Sequence, residues 1–248
     1  MIHGYHVVLG AYGFWLPNDP RGSWSTYVGS RKLYQFGAAT KTSARRSVAH
    51  REHDVGWRME AKTALKRPAV KFNGIQARAI GRGFWEFMRR NALTCWACAV
   101  MPEHVHLVLG RHEYLVEQMA NLLKGAGTRA LLAESLHPFA DQRDGKGKLP
   151  HCWGEGGWYV YLDDERDIRR AISYVEGNPE KDGLPQQRWS FVEHFEGLRR
   201  AGEEGERPFS IERGSARLRL AAKHLFSGHC KNAEGGRASM LLKARPPG

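Results

Sequence analysis

Three short stretches carry side chains able to do chemistry. In Met101-Pro102-Glu103-His104-Val105-His106-Leu107-Val108-Leu109, two histidines flank one aliphatic residue. Successive side chains of a β-strand point to opposite faces. His104 and His106 therefore share one face, and Val105, Leu107 and Leu109 share the other. The apolar face belongs on a core. The imidazoles then stand side by side, either solvated and hydrogen-bonded or holding one metal ion. The second stretch holds Tyr174 and Asn178, at i and i+4 on one face of a helix. If that helix meets the histidine strand, two imidazoles and one amide carbonyl leave open positions on a divalent ion. Mg²⁺ or Mn²⁺ in such a place can polarise a phosphodiester. Tyrosine, with a free pKa of about 10, needs such help to attack phosphorus. Taken singly, Tyr174 is equally a core aromatic and Asn178 a helix C-cap. The third stretch is Cys95-Trp96-Ala97-Cys98, with the spacing of a zinc half-site. Cys152 and Cys230 stand alone, so no second pair completes it. In a regular strand Cys95 and Cys98 point to opposite faces, and two buried thiols are the simpler expectation.

The flanking sequence supplies elements to position these groups. Residues 4–12 are β-branched and aromatic and predict a first strand. Residues 13–24, with two prolines, Asn-Asp and Gly, predict a structured loop. Residues 25–71 show little periodicity and many charges, including Arg45-Arg46, Arg51, Lys62, Lys66-Arg67 and Lys71. They read as an insertion with one short helix around 56–66, lying on DNA or merely solvated. Residues 73–91 place Ile75, Ala79, Phe84, Phe87 and Met88 at helical spacing, although Gly81 and Gly83 weaken a helix there. Residues 93–101 suit a strand buried on both faces. With the histidine strand at 104–110 they form a central hairpin. A second amphipathic helix spans 114–136, a flexible loop 137–150, and a bend into a fourth strand 152–162. Asp163-Asp164-Glu165 marks a helix start, and Gly177-Asn178-Pro179 its end. The order strand, helix, strand, strand, helix, strand predicts an α+β fold. Its core is a ferredoxin-like (RRM-like) βαββαβ unit with an antiparallel sheet. The tyrosine-bearing helix is added at the C-terminal end, and the insertion follows strand 1. The expected domain is 1–196. Residues 197–248 form a basic extension, partly disordered, with one helix from Ile211 to Phe226.

Composition narrows the class. The chain has 248 residues, a formal charge of +12 and a pI near 9.8. Such an excess of Lys and Arg favours a polyanionic partner, nucleic acid first. No run reaches the ~18 apolar residues that span a bilayer. The N-terminus lacks the basic and cleavage regions of a signal peptide. Unpaired cysteine usage points to a reduced, intracellular protein, expected in the cytoplasm.

At this point the residues resemble a known family. Met101-Pro102-Glu103-His104-Val105-His106-Leu107-Val108 resembles the histidine–hydrophobe–histidine (HUH) motif of single-strand DNA transposases. Tyr174-Val175-Glu176-Gly177-Asn178-Pro179-Glu180-Lys181-Asp182-Gly183-Leu184 is similar to the tyrosine helix of their REP-associated branch, typically Tyr-Ile-x-x-Asn-Pro-Val-Lys/Arg-Ala-Gly-Leu. Arg188-Trp189-Ser190-Phe191 resembles the Trp-Ser that commonly follows. The opening strand and the Tyr12-Gly13-x-Trp15-Leu16-Pro17-x-Asp19-Pro20-Arg21-Gly22 loop do so too. The resemblance covers residues 1–24 and 73–195. It implies His104, His106 and Asn178 as ligands of Mg²⁺ or Mn²⁺ and Tyr174 as the nucleophile. It implies cleavage and rejoining of single-stranded DNA near hairpins of the repetitive extragenic palindrome kind, through a 5′-phosphotyrosine. It also implies a bacterial, nucleoid-associated monomer or homodimer. The chain departs from the pattern at Glu103, where many relatives have Asn, at Glu180 and Asp182, and in the long insertion. The contrasting expectation is a non-catalytic DNA hairpin or single-strand binding protein on the same fold.

Arg21, Lys124, Arg129, Lys146, Lys148 and Arg188 are the expected phosphate contacts, since Lys and Arg supply most of these. Trp15, Trp153 and Trp158 sit in Gly/Pro-rich loops. Each either stacks a base or pins its loop to the core.

Overall fold

The computed structural model describes residues 1–42 and 48–198. The expected helix from Ile211 to Phe226, the rest of the C-terminal extension, Cys230 and Arg45-Arg46 lie outside the described residues. Among the described residues the sheet has four strands: β1 (Gly4–Gly10), β2 (Cys95–Val100), β3 (His104–Gly110) and β4 (Trp158–Leu162). Their spatial order is β2-β3-β1-β4, and every neighbouring pair is antiparallel. With α3 (Gly74–Asn91) between β1 and β2 and α4 (Val116–Ala133) between β3 and β4, this is the expected βαββαβ core. The helix α5 (Glu165–Glu176) follows β4, and a single turn, α6 (Asn178–Lys181), follows α5.

Alternation along the two central strands decides the layers. Val7 and Leu9 of β1 and Val105, Leu107 and Leu109 of β3 are wholly buried against Ile80, Phe84, Met119 and Leu123 of α3 and α4. The other face is divided. Ala97, Ala99, Val108 and Leu162 bury Ile168, Ala171 and Val175 of α5. The remainder carries His6, His104, His106 and Trp158 and lines an open cavity.

Local chemistry fixes the helix ends. Asn73 and Gln76 form a reciprocal capping box at the start of α3. Asp164 accepts from the Asp167 amide, with Glu165 and Asp167 in the first turn of α5. The two glycines that weaken α3 on propensity are contacts. A Cβ on Gly83 would lie 2.5 Å from the Ala126 carbonyl oxygen of α4, and one on Gly81 would collide with the Trp189 ring.

Three expectations are corrected. The β2–β3 hairpin is not central, because β4 pairs on the far side of β1 and leaves β2 at the edge. β2 is nonetheless buried, since residues 184–198 run along it. The Gln187 side-chain amide exchanges two hydrogen bonds with the Val100 backbone, and the Glu193 amide donates to the Cys95 carbonyl. Cys95 and Cys98 do not point to opposite faces. A register irregularity between Cys95 and Ala97 turns both into the α3–α4 core, where burial raises both thiol pKa values. The described residues of the insertion hold two short helices, not one: α1 (Arg31–Tyr34) and α2 (Val55–Thr63). They share a small core of Leu16, Leu33 and Ala61.

Gly83→Ala gains about 1 kcal/mol of helix propensity but forces α3 from α4, a strain of about 1–3 kcal/mol. Net destabilisation in urea unfolding is expected. Gly125→Ala, whose nearest neighbour is the flexible end of Arg129, is expected to stabilise. A stabilised Gly83→Ala would contradict the close α3–α4 contact.

Candidate active site

The β1–β3 register places Val8 opposite His106, Gly10 opposite His104 and His6 opposite Val108. His6, one of the same-face residues of β1, therefore lies diagonally beside His106. The imidazoles form a chain. His104 Nε2 is 2.9 Å from His106 Nε2, and His106 Nδ1 is 3.1 Å from His6 Nε2. Phe14 stacks on His104 with centroids 4.4 Å apart, and the bare Gly10 backbone leaves it room. Trp158 closes on His6 edge-first at 5.3 Å, and Trp24 stacks on Trp158 at 5.9 Å. The residues thus form one row across the sheet.

Burial keeps this row neutral. It lowers the pKa of His6 and of His104 to about 4. In His104 the charges of Asp182 and Glu103 oppose the shift without cancelling it. His106 falls well below its usual value, through burial first and then its two histidine neighbours. Neutral imidazoles are the form that binds metals.

The last turn of α5 brings Tyr174 to the row. Its ring centroid lies 5.6 Å from that of His106 and 5.7 Å from that of His6. Burial raises the phenol pKa and Asp182 adds to the rise, so the resting side chain holds its proton. Lys181 Nζ sits 4.8 Å from the ring centroid. Asn178 lies just past the Gly177 C-cap, in α6, and not in the helix of Tyr174; the chain stays helical enough to leave it buried at the cavity wall. His104, His106, Tyr174 and Asn178 thus share one cavity of about 1870 Å³.

The expected phosphate contacts separate. Arg21 is buried, its Nε and Nη2 each 2.8 Å from a carboxylate oxygen of Asp19, and its guanidinium lies 3.9 Å from the Trp15 ring centroid. Lys124 is buried and donates to the carbonyls of Gly154 and Gly156, and burial pushes its pKa down to about 8. Both line the cavity but spend their donors on its walls. Arg129, Lys146, Lys148 and Arg188 are exposed and lie outside the cavity lining. The cavity's other cations are Arg58, Lys62, Arg67 and Arg170. Glu103 pairs with Lys62 at 3.6 Å and so ties the insertion to the histidine turn. Trp153 is core, packed on Phe72, and Trp15 donates to the Gly22 carbonyl. Trp15 meets the row edge-on at Phe14, with centroids 5.8 Å apart, and Trp158 meets it at His6, where exposed Trp24 covers it.

Sequence reasoning missed His6 and Trp24. The signal for His6 was present: it alternates with Tyr5, Val7 and Leu9 as His104 and His106 alternate with Val105 and Leu107. Trp24 had none, because its partner Trp158 is distant in sequence.

Neither a protein-family model nor a curated relative matches the sequence. Among solved structures, the chain is similar to a Deinococcus radiodurans protein described provisionally as a transposase, at 14% identity and a TM-score of 0.34, over 70% of this chain and 88% of that one. It is also similar to a REP-associated tyrosine transposase bound to a REP hairpin, at 14% identity and a TM-score of 0.39, over 84% of this chain and 93% of that one. Both scores are low. No helix among the described residues is long and apolar enough to cross a membrane.

The donor set fits a divalent ion. Two nitrogens bound at right angles, each about 2.1 Å from one ion, lie about 3.0 Å apart. The His104 and His106 Nε2 atoms already stand at 2.9 Å. Among the described residues no three His, Cys, Asp or Glu side chains are arranged to hold a metal. Asn178 and Asn121 line the same cavity, and the Asn178 amide oxygen, two residues past the last turn of α5, would be the candidate third protein ligand.

Burying neutral imidazoles has a pH signature. A shift from 6.5 to about 4 is worth about 3 kcal/mol for each of His6 and His104. The unfolded chain binds these protons first, so stability is complete above pH 6.5 and drains as pH falls toward 4. Urea unfolding in chelator is expected to show this slope, shallower by one proton in His6→Gln. Equal slopes in the two proteins would rule the assignment out.

Proposed function

We propose that this protein cleaves and rejoins single-stranded DNA beside hairpins, with Tyr174 as nucleophile and His104, His106 and Asn178 as ligands of Mg²⁺ or Mn²⁺. The observation that carries this is the approach of the Tyr174 ring to a neutral, chelate-spaced histidine pair in one cavity. The ion would act as a Lewis acid on the scissile phosphate. Tyr174 Oη attacks phosphorus, the bond to the 3′-oxygen breaks, and the phenol's proton passes to that oxygen. The products are a 5′-phosphotyrosine and a free 3′-OH. Attack by a 3′-OH on the phosphotyrosine reverses the step and restores the phenol. Because the phosphodiester bond count is unchanged, no external energy source is needed. The raised pKa of Tyr174 keeps the phenol protonated at rest, so a bound ion would be what eases its deprotonation.

Around the histidines the groove offers aromatic faces and cations, as single-strand binding requires. Trp24 is 47% exposed, and its outer face is the open end of the row. Arg58 and Arg67, without ion pairs among the described residues, supply backbone contacts. The strongly basic chain suits the same partner. The proposed setting is the bacterial cytoplasm, on the nucleoid, with the site built by a monomer or a homodimer.

The test is a labelled hairpin with single-stranded flanks, incubated with Mn²⁺ and run on a denaturing gel. A covalent protein–DNA band is expected, abolished by Tyr174→Phe, by His106→Ala and by chelation. Hairpin binding without any band, across repetitive hairpins of the source genome, would leave only a DNA-binding module. Trp24→Ala is expected to weaken single-strand affinity by about 5- to 150-fold, the worth of one stacked base. Unchanged affinity in filter binding would remove Trp24 from the DNA path.

A further inference from the structure

His6 is the one member of the imidazole row that the proposed mechanism does not use. It is 6% exposed and comes from β1, about a hundred residues from the histidine pair in sequence. Its Nε2 meets the back of His106, at Nδ1, whereas His104 meets the front, at Nε2. His6 is therefore not placed as a third ligand beside the pair. It is placed behind one member of it.

The direction of the hydrogen bonds follows from one atom. His104 Nδ1 is buried and has no partner. A neutral imidazole carries one N–H and one bare nitrogen. If the chain of bonds ran from His6 toward His104, the His104 proton would sit on Nδ1 as an orphaned buried donor. Buried N–H groups are rarely left unpaired, and bare acceptors less rarely. The favoured direction is thus His104 Nε2–H to His106 Nε2, and His106 Nδ1–H to His6 Nε2. An ion bound by both Nε2 atoms would replace the proton between them. His104 would then carry its proton on Nδ1, while His106 would keep its Nδ1–H on His6. Trp158 edge-on at 5.3 Å and Tyr174 at 5.7 Å hold the His6 ring in that posture.

We propose that His6 is a positioning residue: its Nε2 accepts the His106 Nδ1–H and fixes His106 in the tautomer and orientation that present a bare Nε2 to the cavity. This rests on His104 and His106 being metal ligands. Such outer partners orient the ligating ring and raise its basicity, and their loss typically costs about 10- to 100-fold in metal affinity.

The experiment uses the full chain in four forms: wild type, His6→Gln, which offers an amide oxygen near the lost Nε2, His6→Leu, which offers none, and His106→Ala as the reference for a lost ligand. Long-range ¹⁵N–¹H spectra of the metal-free wild type are expected to show His106 protonated at Nδ1. Mn²⁺ binding followed by electron paramagnetic resonance is expected to weaken about 10- to 100-fold in His6→Leu, with most of the affinity restored in His6→Gln. Wild-type His106 protonated at Nε2 overturns the proposal. So does a folded His6→Leu protein that binds Mn²⁺ like wild type while His106→Ala does not bind. If His106→Ala binds Mn²⁺ unchanged, the metal assignment itself falls, a separate result. Should His6→Leu fail to fold, the wild-type tautomer still decides.

Discussion

The antiparallel pairing of β1 with β3 is the constraint on which the site depends. A slip of one residue would turn every side chain of a strand to the other face. Val7, Leu9, Val105, Leu107 and Leu109 are wholly buried in the α3–α4 core. Each contributes about 1.5–3 kcal/mol by leaving water. That burial forbids the slip. The hydrophobic face thereby fixes where His6, His104 and His106 stand on the other face, though it touches none of the chemistry. A site built on the two central strands inherits the rigidity of the best-packed part of the fold.

The second constraint is that α5 covers only part of its face. Its apolar side meets Ala97, Ala99, Val108 and Leu162, and its last turn reaches the imidazoles. Tyr174 therefore sits at a boundary, half in the interior and half in the groove. That position explains both its raised pKa and its 41% exposure. The insertion forms the opposite wall. Its α2 holds the turn before β3 through Lys62 and Glu103, so an acidic residue beside the histidines is occupied by a structural partner.

Much of this was legible in the sequence for physical reasons. Alternation in β3 and the signals at Asp164 and Gly177 are local, and local signals fix element type and end. Strand order is not local. β2 is an edge strand because β4 pairs with β1, and its burial depends on residues 184–198, whose Gln187 imitates a backbone partner with its side chain. The irregularity that turns Cys95 and Cys98 to one face lacks a signature in Cys-Trp-Ala-Cys. Arg21 and Lys124 look like free cations in sequence, because only the fold brings Asp19 into a two-point grip and carries Gly154 and Gly156 to Lys124.

The segment beside β2 also bears on how copies of the chain can meet. An exposed strand edge is a template for pairing with another chain. Here one edge of the sheet is taken by Gln187 and Glu193. Among the described residues β4 pairs only with β1. Among the described residues, the open side of the sheet is therefore β4, which carries Trp158 and borders the groove. Antiparallel pairing of two such edges would keep both grooves on one face of a continuous sheet, side by side.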